Sequence, residues 1–136
     1  MSANSEITQW LKSFEKAINQ VDYEAGIGLF HPNAFSFGSK VERLGTRDEL
    51  LAKQWSSIWP AITDFEYVLS DLNISIDANQ QMAVIGCLWK SKGYNKNNES
   101  YLRPGRVTFL LRKEPPENRW LCYHSHHSLT PVTPGT

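Results

Sequence analysis

The chain has 136 residues, of which 40% are hydrophobic and 21% charged, enough for one domain to bury a core without disulfide or metal staples. Fourteen Lys plus Arg offset fourteen Asp plus Glu, so no general basic field exists to attract nucleic acid or an anionic membrane surface. No apolar run nears bilayer length, and the two cysteines, Cys87 and Cys122, offer no disulfide framework and read as buried thiols.

The opening Met-Ser-Ala-Asn-Ser-Glu has neither a basic nor an apolar leader segment, and the expectation is a cytoplasmic protein. Ile7, Trp10, Leu11, Phe14, Ala17, Ile18 and Val21 recur at three- and four-residue steps, which predicts an amphipathic first helix. Asp22 reads as the N-cap of a short second helix from Tyr23 to about Phe30, with Pro32 stopping it. Phe35-Ser-Phe-Gly38 follows as a short extended piece. Thr46-Arg-Asp-Glu49 fits a capping box for a third helix whose apolar stripe is Leu50, Leu51, Trp55, Ile58 and Trp59, ending at Pro60.

From about Asp64 the period changes. Residues 65–76, 82–93, 100–112 and 120–129 are four β-rich runs joined by short polar, turn-type segments, a pattern that favours antiparallel neighbours. Three helices followed by a four-stranded meander, with one early strand, predict an α+β fold: a curved antiparallel sheet with the helices packed on its concave face. Residues 1–130 are read as a single domain and 131–136 as a flexible tail.

Five Trp, six Phe and five Tyr make up 12% of the chain, which suits a small domain enclosing a pocket. Three of the four histidines lie within four residues of each other, in Trp120-Leu-Cys-Tyr-His-Ser-His-His-Ser128. Strict alternation along a strand puts Trp120, Cys122, His124, His126 and Ser128 on one face. The preceding run offers Arg106, Thr108 and Leu110 on one side and Val107, Phe109 and Leu111 on the other. Paired as a hairpin, Arg106 and Thr108 meet the histidines at the polar end of a cavity and suit a carboxylate. Trp55, Trp59 and Trp120 are candidate walls of that cavity, weighed against plain core. Cys122, His124 and His126 have a spacing that would also admit zinc, but with no further ligand visible the reading is no metal and no cofactor. Asp71, inside a predicted strand, is the candidate carboxylate partner for a His124 or His126 acid/base, ahead of Asp64 and Asp22, which more naturally cap or turn.

The order of elements, Phe35-x-Phe-Gly38 before Gly45-Thr46, Trp55-x-x-Ile-Trp-Pro60, Arg106-Val-Thr108 and Trp120-x-x-x-His-x-His-x-Ser128 resemble the SnoaL-like, ketosteroid isomerase-like branch of the nuclear-transport-factor-2-like superfamily over roughly residues 5 to 130. The closing motif also looks like the end of the association domain of calmodulin-dependent protein kinase. The resemblance implies a cone-shaped, cystatin-like fold, often dimeric through the outer sheet face. Its isomerases use an Asp, a Tyr and a second Asp, whose places fall here at about Ser36, Phe14 and Thr108, so that catalytic set is absent. Two readings follow. One is a dimeric module binding a small, partly apolar molecule, with an acidic one suited to Arg106. The other is an isomerase, cyclase or dehydratase using a pocket histidine as general acid/base. Val107, Phe109 and Leu111 are expected to lie on the outer face, where a homodimer partner would cover them.

Overall fold

The computed structural model describes residues 2–39 and 45–131. Helix α1 (Ala3–Gln20) starts where the Ser2 hydroxyl accepts from the Ser5 N–H, and stops at Val21, whose left-handed conformation turns its N–H back to the Ala17 and Ile18 carbonyls. All six of its stripe residues, Ile7 to Ile18, are buried. Helix α2 (Tyr23–Ile27) is capped by Asp22, as its sequence predicts. It ends earlier than expected, because Phe30 already belongs to strand β1 (Phe30–Phe37), which absorbs Pro32 at a sheet edge where its missing N–H costs nothing.

The hydroxyl half of the capping box forms, with the Thr46 hydroxyl accepting from the Glu49 N–H, while the Glu49 carboxylate accepts from the N–H of Gly45, one residue before the cap. Helix α3 (Arg47–Leu50), a π-helical turn (Leu51–Trp55), α4 (Ser56–Ile58) and a 3-10 turn (Trp59–Ala61) follow one another directly. Trp55 and Trp59 stack at 4.5 Å on the inner side of this segment. Among the described residues no helix is long and apolar enough to cross a membrane.

The rest is sheet: β2 (Thr63–Tyr67), β3 (Asn73–Ile76), β4 (Met82–Tyr94), β5 (Ser100–Lys113) and β6 (Trp120–Leu129). The order is β1-β6-β5-β4-β2, with β3 also pairing β4. The expected single run over 65–76 is two strands that pair with different stretches of β4, separated by a 3-10 turn (Leu69–Asp71). The sheet is mixed rather than antiparallel throughout, because β1 runs parallel to β6. It curves round α1 without closing on itself, and Trp10 and Phe14 on that helix meet Phe30 and Phe109 on the sheet.

Polar ties fix α1 against the strands. Asn19 acts as a strand partner to Phe65, donating to its carbonyl and accepting from its N–H, both at 2.8 Å, while Glu15 accepts from the Tyr67 N–H. At the other end of the helix Glu6 accepts from Lys113 Nζ and from the Trp120 indole N–H, and these bonds hold its carboxyl below the usual range.

The face assignment of the last two strands needs correction. Leu110 pairs with His124 but Leu111 pairs with Cys122, so Tyr123 is an extra residue on β6. One bulged residue reverses the alternation beyond it. Trp120 and Cys122 point inward before the bulge, and Ser125 and His127 point inward after it, while His124, His126 and Ser128 lie on the convex side with Arg106 and Thr108. Val107, Phe109 and Leu111 are correspondingly core, not outer surface.

Candidate functional site

Between α1, the helical segment 47–61 and the concave side of the sheet lies a partly open cavity of about 40 Å³. Its walls are mostly apolar: Phe14 and Ile18 from α1, Ile58 and Trp59 opposite them, Phe65 from β2 and Trp89 from β4. Its polar groups are Ser39, Gln54, Arg103 and His127, and no carboxylate is among the described lining residues.

Arg103 is the only formal charge among the described lining residues. It shares the inward parity of Val107, Phe109 and Leu111 and is half-buried. Its guanidinium lies 5.3 Å from the centre of the Trp89 ring and donates to the Ser39 hydroxyl at 2.8 Å. Gln54 donates to the same oxygen at 3.3 Å. Burial lowers the pKa of Arg103, yet a guanidinium keeps its charge throughout the working range. No Asp or Glu among the described residues forms an ion pair with it.

His127 enters from β6. Its Nε2 lies 3.0 Å from the Tyr67 hydroxyl, and the rings of Phe109 and Trp89 pack round it at 5.3 and 6.1 Å. Burial first, then the charge of Arg103 and the neighbouring His126, push its pKa down to about 3, so the ring is neutral at ordinary pH. Burial also raises the Tyr67 phenol well above its normal range.

The sequence-predicted residues divide. Trp59 lines the cavity; Trp55 lies behind it in the stack; Trp120 sits at the far end of α1 on Glu6. Arg106 is exposed and donates from Nε to Ser128 Oγ at 3.1 Å. His124 donates from Nδ1 to the Phe35 carbonyl, and its ring packs on Phe35 at 4.6 Å, while His126 packs on Phe37 at 5.1 Å. Thr108 is exposed beside His126. None of Arg106, Thr108, His124, His126 and Ser128 is in the cavity lining. Asp71 is exposed in the 3-10 turn and not on a strand. The Cys122 thiol is in the core and donates to the His124 carbonyl, with the two imidazoles on the opposite side of the sheet. The three cannot converge on one ion, and no group of three His, Cys, Asp or Glu suited to a metal occurs among the described residues. Of the places that the isomerase pattern assigns, Phe14 lines the cavity, Ser36 bonds to Ser125 at 2.6 Å in the core, and Thr108 faces outward.

Arg103 and His127 are the ionisable side chains of this lining; counting from Trp120 misses His127, and Arg103 ranks below Arg106 in the sequence because the adjacent Pro104-Gly105 leaves its direction open. A signal for Arg103 was available: it has the parity of the most apolar positions of β5. His127 could be found only by placing the bulge.

A curved, unclosed mixed sheet with helices over its concave face is the architecture of nuclear transport factor 2-like and cystatin-like proteins. Within that class the chain belongs to the SnoaL-like domain family, whose model matches residues 7–133. No curated protein matches the sequence significantly. Among solved structures, it is similar to a nuclear transport factor 2-like superfamily protein of Salmonella enterica serovar Typhimurium, with 18% identity, 98% of this chain and 94% of that one covered, and a TM-score of 0.81. A ketosteroid isomerase-like protein of Erwinia carotovora atroseptica has 18% identity over 94% of this chain and 96% of its own, with a TM-score of 0.78. The association domain of C. elegans CaMKII has 15% identity over 92% and 94%, with a TM-score of 0.72. At such identities the likeness is one of fold, and fold does not select an activity.

Proposed function

We propose that the protein is a binding module for a small, partly apolar molecule with an acidic group, held in the cavity beside Arg103. The observation that carries this is a half-buried guanidinium facing an aromatic-walled cavity with no carboxylate partner among the described residues. A buried charge calls for a counter-charge, and a ligand carboxylate supplies one. The anionic anchor thus moves from Arg106, which the sequence favoured, to Arg103. Native mass spectrometry against the denatured mass, followed by thermal-shift screening of small acids, tests it. Stabilisation by a carboxylate that disappears in Arg103→Met supports the reading, and equal stabilisation of both proteins refutes it.

The alternative, an isomerase, cyclase or dehydratase with a histidine acid/base, would fall to His127, the histidine of the cavity lining. A ring whose pKa is about 3 is a poor base near neutrality, and this favours binding over catalysis.

We further propose that two copies associate through the convex face of the sheet. The rows Phe35–His124–Leu110–Val84 and Phe37–His126–Thr108–Gly86 cross that face in register, and Phe35, Phe37, Val84 and Leu88 are exposed there. Arg106 lies in the next row, between Leu88 and Ser128.

A further inference from the structure

We infer that Tyr67 locks His127 as a neutral hydrogen-bond donor, which makes the cavity a two-donor receptor, guanidinium plus imidazole N–H, for a short monocarboxylate. This rests on the binding reading above and narrows it.

The lock follows from hydrogen-bond accounting. Tyr67 is almost fully buried, and its hydroxyl has one polar partner among the described residues, His127 Nε2. Around it lie the rings of Phe65 and Phe109 and the thiols of Cys87 and Cys122, which are at best weak acceptors. Were Nε2 to carry the proton and donate, the phenol hydrogen would be left without an oxygen or nitrogen acceptor in the interior, which is unfavourable. The hydroxyl therefore donates to Nε2, and the ring proton resides on Nδ1. Nδ1 has no partner among the described residues, yet it is not one of the enclosed unpaired polar atoms, which are Trp10 Nε1 and Arg47 Nε. His127 is among the residues that line the cavity, and with Nε2 engaged by Tyr67, Nδ1 is the ring nitrogen left for a ligand there.

The groups around the ring agree. From β5 come Arg103 and Phe109, from β4 Trp89, from α1 Phe14, and next in sequence His126; no acid faces it among them, so nothing favours an imidazolium. With Nε2 taken and Nδ1 protonated, no ring lone pair is offered to a ligand. The site can donate to an anion but cannot accept a proton from a substrate.

Size limits the anion. A water needs about 10–15 Å³ of such space, so 40 Å³ takes roughly three or four non-hydrogen atoms: acetate fills it, and the longer propionate reaches into its open side. A second carboxylate would lie against Ile58, Trp59 and Phe65, which favours a monoanion.

The test has two independent readouts. Long-range nitrogen–proton NMR of histidine-labelled protein between pH 5.5 and 7.5 should show His127 neutral with its proton on Nδ1, and Tyr67→Phe should give a mixture of tautomers. Propionate, titrated while following Trp indole signals, should bind. Arg103→Met should weaken it more than tenfold, Tyr67→Phe about fivefold, and propionamide should bind at least tenfold more weakly than propionate. An Nε2–H tautomer, or a ring that titrates in this range, overturns the lock even if propionate binds. A correct tautomer with no propionate binding overturns the binding reading and this ligand class together. Binding unaffected by Tyr67→Phe removes the second donor and leaves only Arg103.

Discussion

His127 shows how one side chain couples the site to stability. Its folded pKa is about 3 against an ordinary 6.5. The unfolded chain therefore takes up a proton at pH values where the fold does not, and the stability that neutral His127 contributes is complete above 6.5 and is lost as pH falls towards 3. The slope is about 1.4 kcal/mol per pH unit once the unfolded ring is charged. Lowering the pH from 7.5 to 5 should thus cost the wild type about 2 kcal/mol through this residue, and His127→Gln should lack that component. Urea unfolding of both proteins at the two pH values measures it; equal losses would show that the ring titrates in the fold. On the opposite side of the sheet, His126→Ala removes an exposed ring that packs on Phe37. It should leave propionate affinity within twofold of wild type by the same NMR titration, whereas the unbulged strand reading requires a loss.

Elements are held in place by close approaches that only certain residues permit. A Cβ on Gly105 would come 2.1 Å from Trp89 Cζ2 and 2.4 Å from the Ser128 carbonyl. Gly105 thus lets the Trp89 indole lie across β5, where its N–H reaches the Arg106 carbonyl at 3.0 Å and its ring supports Arg103. Gly105→Ala should cost about 1–3 kcal/mol in urea unfolding, as overpacking does, and should shift the Trp89 indole resonance. An unchanged midpoint would mean that the ring has room to move.

The same elements show what a sequence exposes. Helix α1, the Asp22 and Thr46 caps and the turns between long strands were legible because each depends on residues a few positions apart. The two-strand break at Leu69–Asp71, the parallel β1–β6 pairing and the bulge at Tyr123 were not, because each is set by partners far along the chain. Tyr123 is held by groups from three places: it stacks on His31 at 4.3 Å, lies 4.7 Å from the Arg112 guanidinium and donates to Glu114. One residue of slip there carried the candidate site to the wrong side of the sheet while leaving the fold class right.

At the scale of the whole molecule, the two sides of the sheet differ in what covers them. The concave side spends its apolar residues on α1 and the cavity. The convex side keeps Phe35 at 48%, Val84 at 47% and Leu88 at 43% exposure, on strands that bury most of their other face. A sheet apolar on both sides is expected where a second layer covers it, and a stable dimer commonly buries about 1,200–2,000 Å² in all. Val84→Asp with Leu88→Asp places two carboxylates on that side, where their parity keeps them out of the core, so the fold should survive. Light scattering coupled to size exclusion should report a dimer for the wild type and a monomer for the double variant, with unchanged circular dichroism. Propionate affinity should be the same in both, because the cavity lies across the sheet from the substitutions. A wild type that is monomeric at high micromolar concentration would remove the proposed interface and leave the cavity reading intact; loss of propionate binding on dissociation would instead mean that the second copy props the sheet in its curved form.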